Sequence, residues 1–243
     1  MTKHSLVIGA NGGIAQAIIK QLCEQDSDSH QVYTVSRSPV AHQHPNQHHQ
    51  CIDATDDEQV KTYLKDMAAK SIRFDTVICA TGVLQQDGPQ QLKAEKRLED
   101  VSAEQLAEYF RVNTILPALW LKYLVKVMAK QRAVVVFFSA RVGSISENKL
   151  GGWYGYRASK AALNMIMKTA SIEYKRRAPN TILSCYHPGT VDTGLSKPFQ
   201  ANVKPEKLFT PEFTATQLLH HISGFTTEDG PYYFDWDGQS ISY

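Results

Sequence analysis

The sequence predicts an α/β fold, a single doubly wound and mostly parallel sheet of the Rossmann type with helices on both faces. Three observations carry this expectation. Apolar runs of strand length alternate with segments of helical periodicity along the whole chain. Those runs are apolar throughout rather than every second residue, as strands covered on both faces must be. No linker rich in glycine, serine or proline divides the 243 residues, so one domain spanning residues 1–243 is expected.

The elements follow in order. "SLVIG" reads as the first strand, and after "ANGG" a helix carries Ile14, Ile18 and Leu22 on one face. "QVYTVS" and "HQCID" read as the second and third strands. Asp56 is placed to cap a helix with Val60, Leu64 and Met67 on one stripe. "DTVICATG" is a continuously apolar strand ending in glycine. One long helix is expected from near Ser102, an N-cap with Gln105 three residues on, to about Lys130. "AVVVFFS" is the fifth strand, residues 154–177 the next helix, "TILSCYHPG" the sixth strand, and "PYYFDWDG" a last edge strand. Residues 83–101, polar and charged, and 194–211, with three prolines, read as excursions from this alternation.

A net charge of +2 is too balanced for a nucleic-acid or acidic-membrane surface. The opening apolar run reaches glycine too soon for a signal peptide, and no apolar stretch is long enough to span a membrane. Cys23, Cys51, Cys79 and Cys185 lack metal-ligand spacing. The last three fall in apparent strands and are expected to be small buried hydrophobes in a reducing compartment. A cytoplasmic protein is the expectation. "AHQHPNQHHQ" carries His42, His44, His48 and His49 with no acid or cysteine beside them, so a solvated loop is expected in place of a metal site.

In doubly wound sheets, ligands bind beyond the carboxyl ends of the strands, and the chemically suggestive residues lie there strand after strand. Gly9, Asn11, Gly12, Gly13 and Ile14 form a strand-to-helix turn. Glycine there permits positive φ and close approach to a phosphate, and the helix start adds unpaired N–H groups. The second strand ends Val35-Ser36-Arg37-Ser38 with no acid. A carboxylate would suit the free ribose hydroxyls of NAD(H); Arg37 suits the extra phosphate of NADP(H), which is therefore expected. Asp53, Ala80 and Gly82, after strands three and four, are placed to meet the adenosine. Tyr156 and Lys160 are four residues apart and share a helix face. An ammonium within about 4–6 Å would favour the phenolate over its ordinary pKa of about 10, which suits a general acid. Pro117 has no N–H to offer the carbonyl of Asn113 four residues earlier, so that carbonyl must find another partner.

Together "GANGGIA", "DATD", "CATG", "RVNT", "YGYRASK" and "HPGTVDT" resemble the short-chain dehydrogenase/reductase superfamily over nearly the whole chain. "EKRLEDVS", "SARVGSISENKLGGWYGYRASKAALN" and "FDWDGQSISY" are similar to its Sniffer-like carbonyl reductases and to the bacterial C-factor signalling proteins. The resemblance implies that Tyr156 protonates the developing alkoxide as a carbonyl is reduced. It implies too that Lys160 holds the nicotinamide ribose and that Asn113 holds a water connected to Lys160. It places Pro188, Gly189, Val191 and Thr193 about the nicotinamide. The family's serine, three residues before a glycine, falls here on Ala140; Ser139 is expected to serve instead, with Ser144 or no serine as the alternatives. His187 is assigned to packing. Residues 194–211 would cover an aldehyde or ketone substrate, with Phe199 and Phe209 as apolar contacts, and the two long helices would mediate a homodimer or homotetramer. No metal is required. The competing expectation is a C-factor-like signalling protein that binds nucleotide with little or no turnover.

Overall fold

Strands that alternate between two covered faces build the core of a seven-stranded sheet in the computed structural model, which describes residues 2–25, 29–40, 43–86 and 91–243. Its strands are β1 (Lys3–Ile8), β2 (His30–Ser36), β3 (Gln47–Cys51), β4 (Thr76–Cys79), β5 (Ala133–Phe138), β6 (Thr181–His187) and β9 (Tyr232–Asp235). All pair in parallel in the order β3-β2-β1-β4-β5-β6-β9. The order reverses between β1 and β4, so their carboxyl ends diverge and open a crevice. A separate two-stranded ribbon, β7 (Thr190–Val191) with β8 (Leu208–Phe209), was not legible as strand.

Period-two geometry divides each strand between two layers. Leu6, Ile8, Val35, Val77, Val135 and Phe137 face α2 (Asp57–Ala69), α4 (Leu116–Leu124) and α5 (Tyr154–Arg177). Val7, Val32, Ile78, Val134 and Val136 face α1 (Gly13–Glu24) and α6 (Pro211–Ser223). Every residue of β5 is buried, which explains its unbroken apolar run. Asp56 caps α2 by accepting from the N–H groups of Glu58 and Gln59. Ser102 accepts from Gln105 N at the start of α3 (Ala103–Phe110). The Gln105 amide turns instead to the Asp100 carbonyl and the Lys93 N–H.

Two expectations are corrected. The single helix from Ser102 to Lys130 is broken: α3 ends at Phe110, a π-turn covers Arg111–Ile115, and α4 stops at Leu124. Pro117 withholds an N–H inside this stretch, and wide turns of this kind accommodate the mismatch. Beyond Leu124 the chain bridges to Phe74, whose N–H and carbonyl meet Val127 O and Ala129 N. Cys51, at the edge of the sheet, is exposed, whereas Cys23, Cys79 and Cys185 are buried and all four are free. Among the described residues no helix is long and apolar enough to cross a membrane.

Candidate active site

Gly9 begins the crevice. Its φ of +88° favours glycine, and a Cβ there would lie 2.5 Å from Thr81 Oγ1, so both angle and space require glycine. Gly12 is the N-cap of α1, with no side chain capping the helix and no acid in its first turn. Among the described residues the N–H groups of Gly13, Ile14 and Ala15 have no hydrogen-bond partner. They border a cavity of about 390 Å³ that also reaches Tyr156, Lys160, Ser139, Pro188, Gly189, Val191 and Thr193. Three free donors beside positive helix potential fit the pyrophosphate of a dinucleotide.

A second cavity of about 430 Å³ shares Asn11, Gly12, Ala80, Thr81 and Gly82 with the first and runs on to Arg37 and Asp53. Of the catalytic and cofactor-binding residues expected from the sequence, all but Asn113 line one cavity or the other, whereas Phe199, Phe209 and the alternative Ser144 line neither. Asn11 lines both, but its amide is spent on Ser36 Oγ, Ser38 Oγ and the Ser38 carbonyl at 2.9–3.2 Å. It ties the glycine turn to the turn after β2. Burial pulls the Asp53 carboxyl upward, yet hydrogen bonds from Thr55 N and Oγ1 outweigh this, with Arg111 and Arg37 assisting, and hold it below its ordinary value. Ser36 and Leu195, within stretches the sequence singled out, also line the groove, as do Thr55 and Arg111, whose signal is tertiary because no spacing in the chain marks them.

Tyr156 and Lys160 project from the first turns of α5, both buried. Lys160 Nζ lies 5.8 Å from the Tyr156 ring centre and donates to the Phe138 carbonyl at 2.7 Å. The expectation that the ammonium lowers the phenol is not met in this geometry. Burial alone pushes Tyr156 up. Burial also pulls Lys160 down to about 8, opposed by Cys79 and Cys185. Desolvation dominates both groups because they sit in the interior, and the Lys160 ammonium is turned toward the Phe138 carbonyl.

Two glycines make room for that lysine. A Cβ on Gly82 would lie 3.3 Å from Lys160 Nζ and 3.5 Å from Asn113 Oδ1; one on Gly143 would lie 2.9 Å from Lys160 Cβ. Asn113 is fully buried. Its amide pairs with both the N–H and the carbonyl of Val83 at 2.9 Å and donates to Ser159 Oγ at 3.1 Å. The side chain thus joins the crevice to α5, and only its backbone carbonyl is left without an i+4 donor, opposite Pro117.

The start of α5 is unusual. Gly151, Gly152 and Trp153 all have positive φ. Arg157 donates to the carbonyls of Gly151 and Gly152. Glu95 Oε1 accepts from Gly155 N, and its carbonyl accepts from Trp153 N. Trp153 lies edge-on to Tyr156 and against Phe199 at 5.0 Å. Phe199 thus packs on the apolar cluster that includes Tyr156, without lining either cavity. Phe209 packs on Trp236 at 4.4 Å and fills the space beside Gly189, so it anchors the base of the 194–211 segment.

Ser139 lines the Tyr156 cavity but gives its proton to Asn164 Oδ1 at 2.7 Å. Ser144 is buried against Ser146 and Glu147 N, outside both cavity linings. Burial and the Arg141 charge pull His187 down to about 4, so it is neutral at pH 7. The histidine-rich stretch is in part strand, since His48 and His49 belong to β3; His42 lies outside the described residues. Among the described residues no cluster of His, Cys, Asp and Glu is arranged to hold a metal.

A glycine turn with free donors, a groove across the switch point and a buried Tyr–Lys pair at its end are features that a nucleotide-dependent oxidoreductase requires. Residues 3–204 match the short chain dehydrogenase family, and the chain belongs to that family, which uses nicotinamide cofactors. Over 242 residues it is 26% identical to the 1-hydroxy-2-glutathionyl-2-methyl-3-butene dehydrogenase of Rhodococcus sp. (strain AD45), with 98% of each chain covered. Over 146 residues, 59% of this chain and 82% of the other, it is 30% identical to the C-signal protein of Myxococcus xanthus. The carbonyl reductase Sniffer of D. melanogaster has the same fold, with a TM-score of 0.84 at 20% identity and full coverage of both chains. An NADPH-bound carbonyl reductase from chicken fatty liver gives 0.83 at 21% identity, covering 100% of this chain and 94% of that one.

Proposed function

We propose that this chain is an NADP(H)-dependent carbonyl reductase that converts an aldehyde or ketone to an alcohol, with Tyr156 as the general acid. The observation that carries the reading is the continuous groove from Arg37, past the free N–H groups of α1, to Tyr156 and Lys160. Gly13, Ile14 and Ala15 would hold the pyrophosphate, Arg37 the 2′-phosphate, Asp53, Ala80 and Gly82 the adenosine, and Pro188, Gly189, Val191 and Thr193 the nicotinamide end. When bound, the nicotinamide supplies the hydride.

The chain's own residues supply the proton. Burial keeps Tyr156 protonated through neutral pH, so its hydroxyl reaches the carbonyl oxygen as a donor. As negative charge develops on that oxygen, the phenol proton passes to it. Lys160, protonated below about pH 8, is the nearby cation that offsets the charge left on the phenolate. The Asn113 carbonyl is the anchor for a water that returns a proton towards Lys160. Ser139 would have to exchange Asn164 for the substrate oxygen to act as a second donor. Residues 194–211 are the lid over the substrate, with Phe199 facing Trp153. The exposed Ile115, Met165 and Ile172 on the π-turn and α5 support a homodimer or homotetramer through these helices. The free cysteines support a cytoplasmic location.

The test is NADPH oxidation by purified protein over a panel of aldehydes and ketones. Turnover that is lost in Tyr156→Phe supports the reading, and none with any substrate at saturating NADPH refutes it. One observation favours a second reading, a nucleotide-binding signalling protein like the C-signal relative: Ala140 stands where the family's serine is expected. NADPH binding without turnover would favour that reading. Sedimentation of a monomer at micromolar concentration would refute the oligomer.

A further inference from the structure

A turn that reads a phosphate must be ordered before the ligand arrives, or binding bears the cost of ordering it. The turn after β2 has a support from an unexpected quarter. In the parallel register Thr34 pairs with His49 and Ser36 with Cys51, so the imidazole lies on the same face of the sheet edge as the Ser36 side chain. His49 Nε2 is 3.2 Å from the Ser38 carbonyl and 3.4 Å from Ser36 Oγ; Nδ1 is 3.0 Å from Thr34 Oγ1.

A carbonyl can only accept, so Nε2 carries a proton, and Nδ1 is paired with the Thr34 hydroxyl. Thr34 is fully buried and is itself held by Gln47 Nε2 at 3.1 Å. The Ser38 carbonyl also accepts from Ser36 Oγ at 2.7 Å and from Asn11 Nδ2 at 3.1 Å. Donors from β2, β3 and the glycine turn therefore converge on one carbonyl. Arg37 lies between the two serines, and among the described residues its guanidinium makes no hydrogen bond or close ion pair, acting on Asp53 only through its charge. The backbone is clamped and the charged tip has no hydrogen-bond partner.

We infer that His49 is a positioning residue for recognition of the nucleotide 2′-phosphate: it locks the Ser36–Arg37–Ser38 turn so that the Arg37 guanidinium is presented to that phosphate. This rests on the reading of Arg37 as the phosphate ligand. A nucleotide without the phosphate makes no use of Arg37 and is indifferent to His49.

Calorimetric titration with adenosine 2′,5′-bisphosphate and with adenosine 5′-monophosphate tests this without turnover. In His49→Asn the shorter amide occupies the Nδ1 position and cannot reach Ser38. It should weaken the bisphosphate about 5-fold, the worth of one net hydrogen bond, and leave the monophosphate within about 2-fold. His49→Gln, whose amide nitrogen falls near Nε2, should recover most of the loss. In an Arg37→Ala background His49→Asn should cost nothing further. If His49→Asn does not fold, Thr34→Val, which removes the hydroxyl that orients the ring, should shift the same ratio in the same direction. Equal weakening of both nucleotides, or none, while Arg37→Ala remains selective for the bisphosphate, overturns the role of His49 alone. Full bisphosphate affinity in Arg37→Ala overturns the reading beneath it.

Discussion

Lys160→Met should make the protein more stable and inactive at once. Lys160 is 2% exposed, and burial moves it from 10.5 to about 8. At about 1.4 kcal/mol per pH unit, that difference is about 3 kcal/mol against the charged form. Methionine fills a similar volume but gives up the hydrogen bond to the Phe138 carbonyl, a loss of about 1 kcal/mol. The variant should gain about 2 kcal/mol at pH 7, which raises Tm by about 4–8 °C in a chain of this size. The folded value lies below the unfolded one, so the cost of the charge is fully present below about pH 8 and is relieved as the pH rises to 10.5. The Tm gap between variant and wild type should therefore close between those values. Thermal unfolding monitored by circular dichroism from pH 7 to 10.5 measures it. A variant less stable at pH 7, or a gap independent of pH, would refute the argument that an uncompensated buried ammonium is held at the site for function.

Ser139→Ala should lower kcat by about 10²–10³ if its hydroxyl turns from Asn164 to the substrate, while Ser144→Ala leaves kcat within about twofold; steady-state kinetics on both separates the candidates. Asn113→Ala strips the partners from Val83 N–H and carbonyl inside the protein and should cost about 3 kcal/mol in urea unfolding. Arg37→Ala should raise KM for NADPH about tenfold or more and leave KM for NADH unchanged, because a bidentate charge-assisted contact is lost for one cofactor alone; equal effects on both would remove the NADPH assignment.

The apolar runs of β1, β4, β5 and β6 were legible because a strand buried on both faces admits almost no polar residue, and the caps at Asp56 and Ser102 were legible because an N-cap needs a side-chain acceptor at one position. The break between α3 and α4 was half legible: Pro117 announced a free carbonyl, but the π-turn that absorbs it depends on how the chain packs against α5. Cys51 was misplaced because a strand pattern does not say whether the strand lies at the centre or the edge of its sheet.

For the site, sequence determined which chemical groups are available and where along each strand they fall, because the parallel sheet brings every strand's carboxyl end to one rim. Gly9, Arg37, Asp53 and Gly82 could be placed at that rim, and Tyr156 and Lys160 on one face of a helix by their spacing. Tertiary structure alone decided how those groups are charged and held. Burial alone moved Tyr156, Asn164 accepted the Ser139 hydrogen bond, and His49 reached the Ser38 carbonyl from a neighbouring strand. Desolvation and hydrogen-bond partnership belong to the three-dimensional surroundings of a side chain, and no spacing along the chain encodes them.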